Sequence, residues 1–112
     1  METTQYSDLQ SFQIALKNKN TGKPLDLDIT NKEVTIYIRT KQQNFKNKVK
    51  GDVSFIDGSN VLWAPHKDDV KNSGIHYLTV KITENNKILF SQVHKFMIEP
   101  IQIDPEDLHA ES

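Results

Sequence analysis

The sequence predicts an all-β fold, an antiparallel β-sandwich of about seven strands. Short runs in which apolar residues recur at every second position carry the period of half-buried strands. Clusters of Gly, Pro, Asn and Asp separate these runs at turn-like intervals. Between them lies no amphipathic helical pattern of roughly 10–15 residues, which excludes a βαβ sheet because parallel neighbours need long crossovers. At 112 residues the chain suits a single domain with a modest core.

The elements follow in order. Phe12, Ile14 and Leu16 alternate with Gln13, Ala15 and Lys17, a first strand. Asn18 to Gly22 is turn chemistry, and Lys23-Pro24 restarts the chain in extended form. Leu25, Leu27 and Ile29 alternate with Asp26, Asp28 and Thr30, a second strand. Val34, Ile36 and Ile38 share one face of a third that is rich in β-branched residues. Val53 and Phe55 form a fourth, and Asp57-Gly58 predicts a hairpin turn with positive φ, returning through Val61-Leu62-Trp63. Pro65 to Asn72 reads as one short helical turn stopped by Gly74 in the left-handed region. Leu78, Val80 and Ile82 define the next strand, and Asn85-Asn86 turns it. A last strand from about Ile88 to Ile98 has Ile88, Phe90, Phe96 and Ile98 in phase, with a bulge or sheet crossing suggested where Gln92 and His94 interrupt them. The expected core is Leu25, Leu27, Val34, Ile36, Ile38, Val53, Phe55, Trp63, Leu78, Val80, Ile82 and Phe96. An immunoglobulin-like sandwich accommodates this set, with a small barrel as the alternative.

Charge divides the chain into a sandwich domain over 1–98 and an acidic arm over 99–112. The first part holds all 14 basic residues against 10 acids, a net of +4; the arm holds five acids, no base and two of the four prolines. Within the body, Arg39, Lys41, Lys46, Lys48 and Lys50 follow one another with no acid between them and with Phe45 inside. Phosphate contacts need such charge, but a single aromatic is no stacking platform, so an acidic protein partner, such as another copy's acidic tail, is at least as good an expectation and nucleic acid is not expected. No apolar run is longer than four residues, so no membrane span is expected, and the start lacks a secretory leader pattern. In the arm, Pro100 and Pro105 exclude a central strand. Ile101, Ile103 and Leu108 are nonetheless spaced apolar residues, as in an extended segment that docks on a neighbour by strand addition.

The chemical inventory is sparse. Having no cysteine removes thiol chemistry and disulfides. His66, His76, His94 and His109 are scattered, and only His76 and His94 fall near cross-strand register about the Asn85-Asn86 turn. No cysteine or acid in phase completes that pair into a metal site, so strand histidines are expected and no metal. Asp26 and Asp28 share a strand face, suited to a hard cation or to acid–base work, yet alternation already assigns them to solvent. There is neither a Gly-x-Ser-x-Gly elbow nor a phosphate-cradling glycine loop, so a non-enzyme without cofactor is expected. Trp63 would stack on a sugar if exposed, but a lone Trp in a sandwich is more often core.

The order of these devices resembles the N-terminal immunoglobulin-like domain of phage baseplate upper proteins. The resemblance begins at Gly22-Lys23-Pro24-Leu25-Asp26-Leu27 and continues through Val34-Thr35-Ile36-Tyr37-Ile38 and Gly51-Asp52-Val53-Ser54-Phe55-Ile56-Asp57. Ser73-Gly74-Ile75-His76-Tyr77 resembles the opening of that domain's next strand and Phe96-Met97-Ile98 its closing one. It covers roughly 10–98. It implies a virion structural module in the baseplate, tail, neck or capsid, made in the bacterial host cytoplasm, with other virion proteins as partners and no catalytic residues. The family's domain is followed by a stalk, whereas here a short acidic arm follows, which fits a free-standing accessory protein and homo-oligomer. The expected contact residues are Ile101, Ile103 and Leu108 of the arm and Arg39, Lys41, Phe45, Lys46 and Lys48 of the basic segment. A carbohydrate-binding or adhesion module is the alternative.

Overall fold

A computed structural model describes residues 1–41 and 47–101. Nine strands occur among them: β1 (Glu2–Thr4), β2 (Phe12–Ala15), β3 (Glu33–Thr40), β4 (Asn47–Lys48), β5 (Asp52–Asp57), β6 (Asn60–Ala64), β7 (Gly74–Glu84), β8 (Lys87–Phe90) and β9 (His94–Glu99). They form two sheets in a sandwich. The larger runs β1-β9-β7-β3-β4, with β8 also paired to β7, and the smaller runs β2-β6-β5. All pairings are antiparallel except that of β1 with β9, which is parallel.

Alternation explains the core. Ile36 and Ile38 of β3, Leu78, Val80 and Ile82 of β7 and Phe96 and Ile98 of β9 face inwards from the large sheet. Ile14 of β2 and Val61 and Trp63 of β6 meet them from the small one, with Leu16 just past β2. Phe12, Trp63 and Phe96 form an aromatic triangle with centroids 5.4–5.8 Å apart. Such tilted and edge-on pairs contribute beyond their area, about 0.5–1.5 kcal/mol each.

Several expectations need correction. Leu25 to Ile29 is extended but forms no ladder strand. Instead the Leu25 N–H donates to the Leu16 carbonyl and the Leu27 N–H to that of Gly58, so the segment crosses the tip of the β5–β6 hairpin. That crossing, rather than a positive φ, demands Gly58: a Cβ there would sit 2.2 Å from the Leu27 carbonyl oxygen. The helical turn shrinks to a 3₁₀ turn over Lys67–Val70, capped by His66 instead of opened by Pro65. Gly74 does have a positive φ, 116°. Asn85 likewise takes the left-handed region, at 56°, in the β7–β8 turn.

The largest difference concerns the last strand. The chain pairs with β7 twice, as β8 against Lys81–Glu84 and as β9 against Gly74–Leu78. Phe90 lies opposite Lys81 and His94 opposite Leu78, so one residue is gained between the two pairings. A one-residue shift exchanges the faces of a strand. Phe96 and Ile98 therefore point into the core, while Ile88 and Phe90 lie opposite Thr83 and Lys81 on the outer face. Ser91 holds the crossing: its N–H donates to the Val80 carbonyl, its Oγ accepts from the Lys17 N–H at 3.1 Å, and Gln92 N–H donates to the Lys17 carbonyl.

Candidate interaction surface

Among the described residues, the cations of the basic segment divide between the outer face of β3 and a polar cleft beside the 3₁₀ turn. Arg39 stands on the outer face of β3 with its guanidinium 5.0 Å from the centre of the Tyr77 ring directly across the ladder. Lys81 approaches the Tyr37 ring on the same face, at 5.8 Å. Exposed cation–π pairs of this kind contribute about 0.5–1 kcal/mol, so these cations are engaged by their own sheet. Lys41 is exposed beyond the end of β3, and Lys48 lies exposed on the two-residue strand β4. Phe45 and Lys46 lie outside the described residues.

Lys50 turns towards the 3₁₀ turn, where its ammonium meets Asp68 at 2.9 Å. That bond holds the Asp68 carboxyl below its usual range and raises Lys50 in return. Asp69 next to it accepts the backbone N–H groups of Lys50, Gly51 and His66 at 2.8–2.9 Å. One carboxylate thereby caps the turn and pins the β4–β5 connection to it. Gly51 packs so closely that a Cβ would lie 2.1 Å from the Ala64 carbonyl oxygen. A polar cleft of about 370 Å³ opens here between Lys48, Lys50, Lys71, Asp68 and His76. Its two carboxylates are consumed by Lys50 and by backbone, so the cleft is a structural junction.

The histidines also separate. His76 lies opposite Phe96 and His94 opposite Leu78, two residues apart in register on the inner face. His76 Nδ1–H donates to the Gly74 carbonyl at 3.1 Å, and His94 Nε2–H reaches across the sandwich to that of Ala15 at 3.0 Å. Burial pushes both below the ordinary imidazole range. Among the described residues no three His, Cys, Asp or Glu side chains come together as a metal set. Asp26 and Asp28 are exposed, and Asp28 closes a local turn by accepting the Thr30 N–H at 3.0 Å. Trp63 is fully buried, its indole N–H unpartnered among the described residues, so it offers no face to a sugar.

Ile101 is half-buried, and its N–H donates to Gln5 Oε1 at 3.1 Å. Gln5 in turn donates to the Lys71 carbonyl and, through its backbone, to that of Glu99. The arm thus leaves the sandwich from the end that carries the 3₁₀ turn. Ile103 and Leu108 lie outside the described residues.

The surface that sequence reasoning missed is β8. Ile88, Leu89 and Phe90 are 56%, 41% and 44% exposed, and Val93 beyond them is 40% exposed. The register shift turns Ile88 and Phe90 outwards, while Leu89 faces the inner side next to Ile82. One hollow lies between Phe90, Leu89, Leu25 and Asn18–Asn20, and another between Ile88, Leu89, Lys32 and Lys87. Only β7 pairs with β8 among the described residues, so its other edge is bare. The visible signal was three consecutive apolar residues where a half-buried strand would alternate.

No family model matches the chain, and no curated protein is significantly similar to it. No helix among the described residues is long and apolar enough to cross a membrane.

Proposed function

We propose that the chain is a non-catalytic structural module of a phage particle, acting through protein–protein contacts. The observation that carries the protein-contact part is the β8 edge, with apolar side chains exposed on both faces and backbone groups open to pairing. Natural sheets ordinarily cover, shorten or charge such an edge, and contiguous exposed apolar surface marks sites of association. The assignment to a virion rests on the resemblance carried by the order of turns in the sequence from Gly22 to Ile98. The carbohydrate alternative has lost the aromatic on which it depended, because Trp63 lies in the core.

The test is to assemble phage particles in the presence of the full-length tagged chain, purify them by density, and quantify the chain by mass spectrometry. Recovery at a constant copy number per particle is the expected result. A chain that stays wholly with the unassembled fraction overturns the virion reading.

A further inference from the structure

Resting on the protein-contact reading above, we propose that the bare edge of β8 is the receptor for the acidic arm of a second copy of this chain. Three features of the chain select that occupant.

The first is chemical. Beyond Ile101 the arm carries Ile103 and Leu108 among Asp104, Glu106, Asp107 and Glu111, with neither Lys nor Arg. The receptor presents Ile88, Leu89 and Phe90 between Lys87 at the start of the strand and Lys19 beside the Phe90 hollow. Neither lysine makes an ion pair among the described residues, whereas Lys32 nearby is already held by Glu84 at 2.8 Å. An apolar-and-acidic strand meets an apolar-and-basic edge, and opposite charge steers the encounter.

The second is backbone chemistry. Pro100 and Pro105 lack an N–H and are unsuited to the middle of a sheet, but an added strand is itself an edge and tolerates proline on its outer side. Strand addition takes affinity from main-chain bonds and specificity from alternate side chains. Side chains of an added strand alternate between faces, and Ile103 and Leu108, an odd number of positions apart, fall on opposite ones. The receptor is apolar on both.

The third is reach, which decides between the chain's own edge and a neighbour's. Gly74 of β7 pairs with Ile98, and Lys81 with Phe90. At about 3.3 Å per residue those two rungs are roughly 23 Å apart, and Ile101 lies beyond the first of them. Ile103 extends no more than about 7 Å from Ile101, and Leu108 no more than about 25 Å. With Ile101 anchored on Gln5, the segment 103–108 cannot lie along its own β8. A donor at one end of the sandwich and an acceptor at the other make the contact heterologous, satisfied by a neighbour.

Sedimentation equilibrium on full-length proteins tests this. The wild type is expected to self-associate, with an affinity that falls as salt rises. Ile88→Glu, which spoils the receptor, and the double change Ile103→Lys with Leu108→Lys, which spoils the arm, should each weaken association at least about tenfold. Mixed together, the two variants should form a one-to-one complex, because each retains the half the other lacks. Both changes fall at exposed or arm positions, and unchanged circular dichroism and thermal midpoint verify folding. A monomeric wild type, association that survives either change, or a mixture that stays monomeric each overturns the proposal. A monomer that is still incorporated into particles would overturn this pairing and leave the virion reading standing.

Discussion

β8 and β9 are neighbours in sequence, pair with the same strand, and are both rich in apolar residues, yet their surroundings are opposite. β9 has β7 on one side and β1 on the other, and its Phe96 and Ile98 are fully buried under the small sheet. β8 has β7 alone, and each of its four residues is exposed. One residue gained at Ser91–Val93 separates the two fates, since it reverses which face of the sheet each side chain takes. An apolar run therefore says that a segment avoids water without saying which partner covers it. Intramolecular packing covers β9. For β8 the cover has to come from elsewhere.

The strongest way to sharpen that contrast is to truncate the same residue type in both strands. Phe96→Ala removes one corner of the aromatic triangle and should cost about 3–5 kcal/mol. Phe90→Ala should cost far less, no more than about 1 kcal/mol, because nearly half of the residue is in water already. Urea midpoints read at low protein concentration compare the two directly. Equal losses would mean that β8 is packed as firmly as β9.

A second, smaller loss is expected where the small sheet is tied to the 3₁₀ turn. Asp69→Ala strands the N–H groups of Lys50, Gly51 and His66, and should cost about 2–3 kcal/mol. Asp68→Ala, one position away, should leave the urea midpoint in place, since the Lys50 pair it breaks lies in solvent. If the two variants behaved alike, the junction would be held by charge rather than by backbone capping.

These contrasts also show how far residues alone carried. Alternation located most of the core, and turn chemistry located the Asn85-Asn86 reversal. What stayed hidden depended on contacts distant in sequence. Gly58 looked like a turn glycine because the carbonyl of Leu27 that presses on it is invisible to local pattern. Leu25 to Ile29 alternates as a strand does, but bonds to Leu16 and Gly58 divert it across a hairpin tip. β1 was missed because Glu2–Thr4 has no apolar alternation and exists only by pairing with β9. The basic segment appeared as one patch because linear charge does not show which partner each cation meets once the chain has folded. Tyr77 takes Arg39 on one face, and Asp68 takes Lys50 elsewhere.

Acidification should act on β9 and β7 before it acts on β8. His94 and His76 are both held below the ordinary value of 6.5 by burial, and Lys17 further opposes charge on His94. The unfolded chain consequently binds these protons first as pH falls. Stability is fully present above about pH 6.5 and declines as pH drops from there through the folded-state values. Asp28 and Asp68 are held low and titrate below this window, so the decline belongs to the imidazoles. His94→Gln, which can still donate to the Ala15 carbonyl, should make the stability–pH curve shallower between pH 6.5 and 5. A curve with an unchanged slope would show that His94 is not the group being charged.

The smallest expected effect is the most informative about β8. Ile88→Thr keeps a β-branched side chain on the strand and removes only apolar surface that is already wet. In dilute solution it should shift stability by no more than about 0.5 kcal/mol. Association stabilises whatever it binds by mass action, so a wild type whose β8 is covered by a neighbour should gain stability as protein concentration rises. The Ile88→Thr variant should gain less, and the gap between the two should widen with concentration. A gap that is already large at high dilution would mean that β8 is buried within its own chain. A gap that stays small at every concentration would mean that no copy of the chain ever covers it.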